Sequence, residues 1–149
     1  MLAKKIIMPL LFVAVFAAGF FMGSVRNPQG GTLAYADTQA RVFELRTYTA
    51  HEGRLGDVVN RFRDHTMKMF AKHGMVSVGY WTPEDAPASK NTLIYVLAHP
   101  SREAAKKNWD EFRSNPEWKQ AKSASEANGP IVEKTASVYM DATAFSPLK

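Results

Sequence analysis

The chain has 149 residues, 46% of them hydrophobic and 22% charged, which excludes a disordered polymer and leaves room for about one domain. It has no cysteine, so a disulfide scaffold, a thiolate metal site, a cysteine nucleophile and a lipidated cysteine anchor are all excluded. The formal charge is +5, but Lys4, Lys5 and Arg26 sit in a leader without acids. The remainder is close to neutral and carries no basic clustering of the kind that binds nucleic acid.

Residues 1–5 form a short basic start, and 6–22 an uncharged apolar run. The run is long for a signal peptide and short for a membrane span. A polar, turn-rich stretch follows and ends in Ala34-Tyr35-Ala36, a small-x-small cleavage pattern. Residues 1–36 are therefore read as a signal peptide or a membrane anchor with its linker, and 37–149 as the folded domain. In either case Lys4 and Lys5 stay inside and the domain is exported, to a periplasmic, extracellular or membrane-anchored location. Export makes phosphoryl transfer from ATP or use of free NAD a poor expectation, and no Gly-rich phosphate motif occurs.

Residues 41–49 alternate between Phe43, Leu45, Thr47 and Val42, Glu44, Arg46, Tyr48, the period of a strand. Leu55, Val58, Val59, Phe62, Thr66, Met69, Phe70 and His73 then recur at helical spacing, and Gly74 is a natural stop. Residues 75–82 read as a second strand and 83–91 as a loop with two prolines. Residues 92–99, apolar on both faces, read as an internal third strand. Ser101 is an N-cap, and Ala105, Trp109 and Phe112 are the buried stripe of a second helix. Asn115 and Pro116 restart the chain as a short helix whose inner face is Trp118 and Ala121. Residues 131–141 read as the last strand.

The fold class is therefore α+β: a ferredoxin-like βαββαβ order with a four-stranded antiparallel sheet, preceded by an N-terminal hydrophobic helix. Right-handed crossovers place both helices on one side of the sheet. The other side needs a cover, and a second copy across a two-fold axis is the simplest one. A homodimer is the expected partner state.

The polar residues of the first strand point to a site. If Phe43 and Leu45 face the helices, then Glu44, Arg46 and Tyr48 face the open side. Trp81, Tyr95, His99, Glu133, Ser137 and Tyr139 are candidates to join them, the facing of the second and third strands being left open. An acid, a guanidinium, phenols and an imidazole around aromatic walls suit a small organic ligand, or proton transfer. The plainer alternative is that Glu44 and Arg46 pair with each other for structure. No histidine spacing makes a metal site: His65 and His73 are eight apart, about 12 Å of helical rise, and no HExxH occurs. His73 reads as a capping or core residue, and Trp109, Phe112 and Trp118 as core. Asp64 and Lys68 are expected to pair along the helix. No cofactor is called for.

Three motifs together resemble the NIPSNAP family. They are Glu44-Leu45-Arg46-Thr47-Tyr48-Thr49, then His73-Gly74 with Val78-Gly79-Tyr80-Trp81, then Asn115-Pro116-Glu117-Trp118. The resemblance spans residues 41–139. It implies a dimeric α/β-barrel, in which two ferredoxin-like sheets enclose an interior. The wider superfamily includes cofactor-free monooxygenases, haem enzymes and small-molecule isomerases that use this interior. The NIPSNAP branch has no general catalytic assignment, and its eukaryotic members are linked to mitochondria and vesicle traffic. Glu44, Arg46, Tyr48 and Trp81 are the positions carried by its motifs. Many members have an LW-x-Y-like third strand where this chain has Val96-Leu97-Ala98-His99, so His99 takes the place of a phenol.

Three functions follow as expectations. The first is a homodimer that binds a small organic molecule or a partner protein without turnover, with Arg46, Tyr48, Trp81, Tyr95 and Tyr139 around the ligand. The second is an enzyme of the monooxygenase or isomerase kind, with Glu44, His65 or His99 moving protons. The third is a structural or assembly module at the membrane.

Overall fold

A computed structural model describes residues 41–149. The leader 1–36, and with it the signal, anchor and hydrophobic-helix expectations, lies outside the described residues. Among those described, no helix is long and apolar enough to cross a membrane.

Strand β1 (Val42–Ala50) leads into a helix built of three abutting segments, Leu55–Arg61, Phe62–Thr66 and Met67–Lys72, together α1. Then come β2 (Val76–Trp81), β3 (Thr92–His99), α2 (Arg102–Ser114), α3 (Pro116–Ser125) and β4 (Val132–Asp141). A single turn of 3-10 helix, Ala88–Lys90, lies in the loop before β3. The sheet order is β2-β3-β1-β4 and every neighbouring pair is antiparallel. This is the βαββαβ arrangement, with α3 added between α2 and β4.

Local chemistry explains most boundaries. Gly74 adopts φ 69°, a left-handed conformation that costs a side-chain-bearing residue energy, and it ends α1. The Ser101 hydroxyl accepts from the Ala104 N–H at 3.1 Å and starts α2. The Asn115 side-chain Oδ1 accepts from the Glu117 N–H at 2.8 Å, with Pro116 supplying the first helical residue of α3. The Asn115 amide also donates to His73 Nε2 at 3.1 Å, tying the end of α1 to the start of α3. Asn115→Ala is expected to lower stability by about 1–2 kcal/mol, since it removes a cap and this cross-link together. Equilibrium urea unfolding measures it.

The middle of α1 departs from regular geometry. Phe62–Thr66 is a π-helical turn, in which the Met67 N–H bonds to the Phe62 carbonyl, five residues back. The Thr66 hydroxyl donates to the Arg61 carbonyl at 3.2 Å. The wider turn changes which side chains meet. Asp64 makes two hydrogen bonds with Arg63, at 2.8 and 2.9 Å, rather than the expected pair with Lys68.

An aromatic layer fills the space between helices and sheet. Phe70 is fully buried and its ring meets those of Phe62, Tyr95, Trp109 and Phe112 at 5.1–6.1 Å. Tyr48 and Tyr80 pack edge-on against Phe62 from the sheet side. Trp118, half-buried, lies 4.5 Å from Phe112. The stripe read in the sequence as core is core.

These contacts reverse one expectation. Tyr48 touches Phe62, and Glu44 bonds Trp109 on α2, so Glu44, Arg46 and Tyr48 face the helices. Phe43, Leu45 and Thr47 occupy the other side. Alternation tells which residues share a face, and that part was right. It does not tell which face is covered. Here the polar face forms the core because its charges are paired, and none of the described helices packs on the aliphatic face.

Candidate functional site

Glu44 lies at the centre of a buried hydrogen-bond network, in which Arg46 Nε and His99 Nδ1 are left without a partner among the described residues. Its Oε1 accepts from Arg46 Nη1 at 2.8 Å and from the Ser137 hydroxyl at 2.6 Å. Its Oε2 accepts from the Trp109 indole N–H at 2.7 Å and from His99 Nε2 at 3.1 Å. A carboxylate only accepts, so His99 carries its proton on Nε2 in this contact. Four elements converge: β1 supplies Glu44 and Arg46, β3 His99, β4 Ser137, and α2 Trp109. Glu44 is 1% exposed and His99 fully buried.

Burial alone pushes a carboxyl up. At Glu44 the donated bonds from His99, Ser137, Trp109 and Arg46 outweigh it and bring the pKa down to about 2. The Arg46 guanidinium stacks over the Trp109 ring at 4.3 Å and lies 5.6 Å from that of Tyr48. Burial pushes the Tyr95 phenol well above its ordinary value. It also raises Tyr139, with the Glu44 charge adding to the effect. Neither phenol gives up a proton readily near neutral pH.

The sequence candidates thus divide. Glu44, Arg46 and His99 meet in one cluster. Tyr48 and Tyr95 belong to the aromatic layer beside it, their rings 5.4 Å apart. Tyr139 lies opposite Glu44 in register, under the Arg102 guanidinium at 4.4 Å. Trp81 is not with them. It lies on the uncovered face, opposite Ile94, and folds back over Gly79, where an added Cβ would meet the indole at 2.5 Å. His65 stands apart on α1. Trp109 was read only as core, yet it supplies a donor to Glu44. Its signal was available: a buried indole N–H requires an acceptor.

The Glu44 cluster lines neither of two cavities found among the described residues. The larger, about 680 Å³, runs between α1 and α3 past Asp64, His65, Lys68 and Gln120. A smaller one of about 220 Å³ adjoins it at Asp57, Asn60 and Arg61. The described residues contain no group of histidines and carboxylates that could hold a metal ion.

Charge pairing and saturation define what the cluster can do. A carboxylate that already accepts four bonds, and whose proton affinity is this low, is a poor general base. The arrangement holds sheet to helix and orients Trp109 and Arg46.

Known proteins agree with this architecture. A NIPSNAP family protein of unknown function from Agrobacterium tumefaciens superposes with TM-score 0.65 at 20% identity, covering 76% of this chain and 97% of that one. A NIPSNAP-like domain protein from Burkholderia xenovorans gives 0.64 at 15% identity, covering 73% and 90%. A monooxygenase from Streptomyces coelicolor, solved with nanaomycin D, gives 0.53 at 14% identity, covering 74% and 96%. At such identities the likeness is one of fold. No curated protein matches the chain. The sequence model of the NIPSNAP family matches residues 43–147, nearly the whole of the described domain, and the chain belongs to that family.

Proposed function

We propose that this protein is an exported, homodimeric binding domain that takes up a small organic ligand without turning it over. The observation that carries the reading is the saturation of the Glu44 carboxylate by four donors. The residues best suited by type to acid–base work are committed to one another and line neither cavity.

Dimerisation is supported by the sheet face that no described helix covers. Register places Leu45 between Val96 and Val138, and Phe43 between Ala98 and Met140. Phe43 and Ala98 on this side are buried, while Val76, Trp81 and Val138 are 49%, 52% and 54% exposed. Exposed apolar side chains of this kind make a surface for association, and a second copy offers a matching one. Export is supported by the basic start and apolar run of the leader.

Mass measurement by light scattering on the full chain tests the dimer. The wild type is expected as a dimer, and Val138→Asp as a monomer with unchanged helix content. A monomeric wild type would overturn the association and with it the barrel.

A second reading is a cofactor-independent enzyme, favoured by the fold shared with the Streptomyces monooxygenase. Of the proton carriers named from sequence, only His65 lines a cavity. This reading therefore expects turnover that is lost in His65→Gln.

A further inference from the structure

The groove between α1 and α3 is held apart rather than collapsed. At one end Lys72 Nζ donates to Glu117 Oε2 at 2.6 Å, joining the two helices. At the other, Arg61 Nη1 reaches Ser125 Oγ at 3.2 Å and Glu126 Oε1 at 2.9 Å. Between these clamps α3 presents Gln120, Ala121 and Ala124, and α1 carries its π-helical turn. Small side chains on one wall and a widened turn on the other leave about 680 Å³, the volume range of small-molecule sites. π-Helical turns recur where function needs a side chain re-aimed.

The groups along this space differ in how far they are committed. Asp64 is held by Arg63, and Lys72 by Glu117. The side chains of His65, Lys68 and Gln120 make no hydrogen bond with a described residue, although the charges of His65 and Lys68 help to hold the Asp64 carboxyl low. Each can donate: an ammonium, an imidazole and an amide. Met69, Ala121 and Ala124 supply apolar surface. These donors are exposed and free to exchange water for a ligand's acceptor, and the ammonium favours one with negative charge.

We infer that the α1–α3 groove is the binding site for a small organic acid, with Lys68 and His65 on its carboxylate and Met69, Ala121 and Ala124 under its apolar part. This deepens the reading of the chain as a binding domain and is independent of its dimerisation.

Amide-shift mapping by NMR on the full chain tests it, with 4-phenylbutyrate as the probe and 4-phenylbutan-1-ol as its uncharged counterpart. The acid is expected to bind more tightly than the alcohol and to perturb amides in 61–72 and 117–125. Lys68→Met is expected to weaken the acid by about fivefold and leave the alcohol unchanged, the size of one exposed charge contact. Ala124→Trp, at an exposed position, fills the groove and is expected to abolish both. Equal binding of acid and alcohol, or indifference to Lys68→Met, would overturn the carboxylate assignment. Perturbation of the sheet in place of the helices would overturn the site and leave a binding domain with its ligand elsewhere. Absence of any binding would remove both the site and the binding reading.

Discussion

Glu44→Ala is expected to lower folding stability by about 3–5 kcal/mol, among the largest losses open to a single substitution in this domain. The change strands Arg46, Ser137, Trp109 and His99, all of which now donate to one buried carboxylate. Glu44→Gln keeps the shape but replaces one acceptor oxygen by a donor that must face donors, so it too is expected to be destabilising, by about 2–3 kcal/mol. Urea unfolding of the full chain reads both.

The same residue sets an acid limit. In the fold the Glu44 carboxyl titrates at about 2, against an ordinary 4.5. The unfolded chain therefore binds this proton more tightly than the folded one. The stabilisation is complete above the ordinary value and is lost as pH falls from there toward 2. A shift of this size corresponds to about 3 kcal/mol. The stability gap between wild type and Glu44→Gln is thus expected to narrow by about that amount between about pH 6 and pH 2. A gap that stays constant with pH would show that Glu44 contributes through shape alone.

Phe70→Ala is expected to cost about 3–5 kcal/mol. Phe70 is fully buried, and its ring contacts two aromatic residues of α2, one of α1 and one of β3. Removing it opens a cavity that rigid neighbouring rings fill poorly. It also loosens Trp109, whose indole must stay aligned with Glu44. The loss is expected to appear both in the urea midpoint and in the near-ultraviolet dichroism of the tryptophans. Phe70→Leu keeps most of the volume and is expected to cost about half as much or less. Equal losses for the two variants would mean that ring geometry, not cavity volume, dominates this layer.

The acid and aromatic contributions are coupled through Trp109. Its ring packs on Phe70 and Phe112, its face carries Arg46, and its N–H bonds Glu44. One side chain thus serves the core and the polar cluster at once. This explains how a charged residue pair can occupy the covered face of the sheet: each charge is neutralised at short range before it is buried.

Much of the fold was legible in the sequence. Periodicity, the Ser101 and Asn115 caps and the Gly74 stop are local signals, and local backbone preference sets where elements begin and end. The strand boundaries lie within a residue or so of those read from the alternation, and the βαββαβ order followed from the elements. The grouping of Glu44, Arg46, Tyr48, Tyr95, His99, Ser137 and Tyr139 on one face was also legible, since a strand alternates strictly and pairing aligns neighbours. Three things were decided only by tertiary structure. Which face the helices cover depends on whether buried charges find partners, and the partner of Glu44 on α2 is 65 residues away in the chain. The π-helical turn at Phe62–Thr66 was not legible in the helical spacing, which is read at a single period of 3.6 residues. Trp81 parted from the other site candidates because a register shift between Ser77 and Gly79 resets the alternation of β2. Sequence determines local conformation and the sharing of faces. Long-range pairing decides which of those faces becomes the inside.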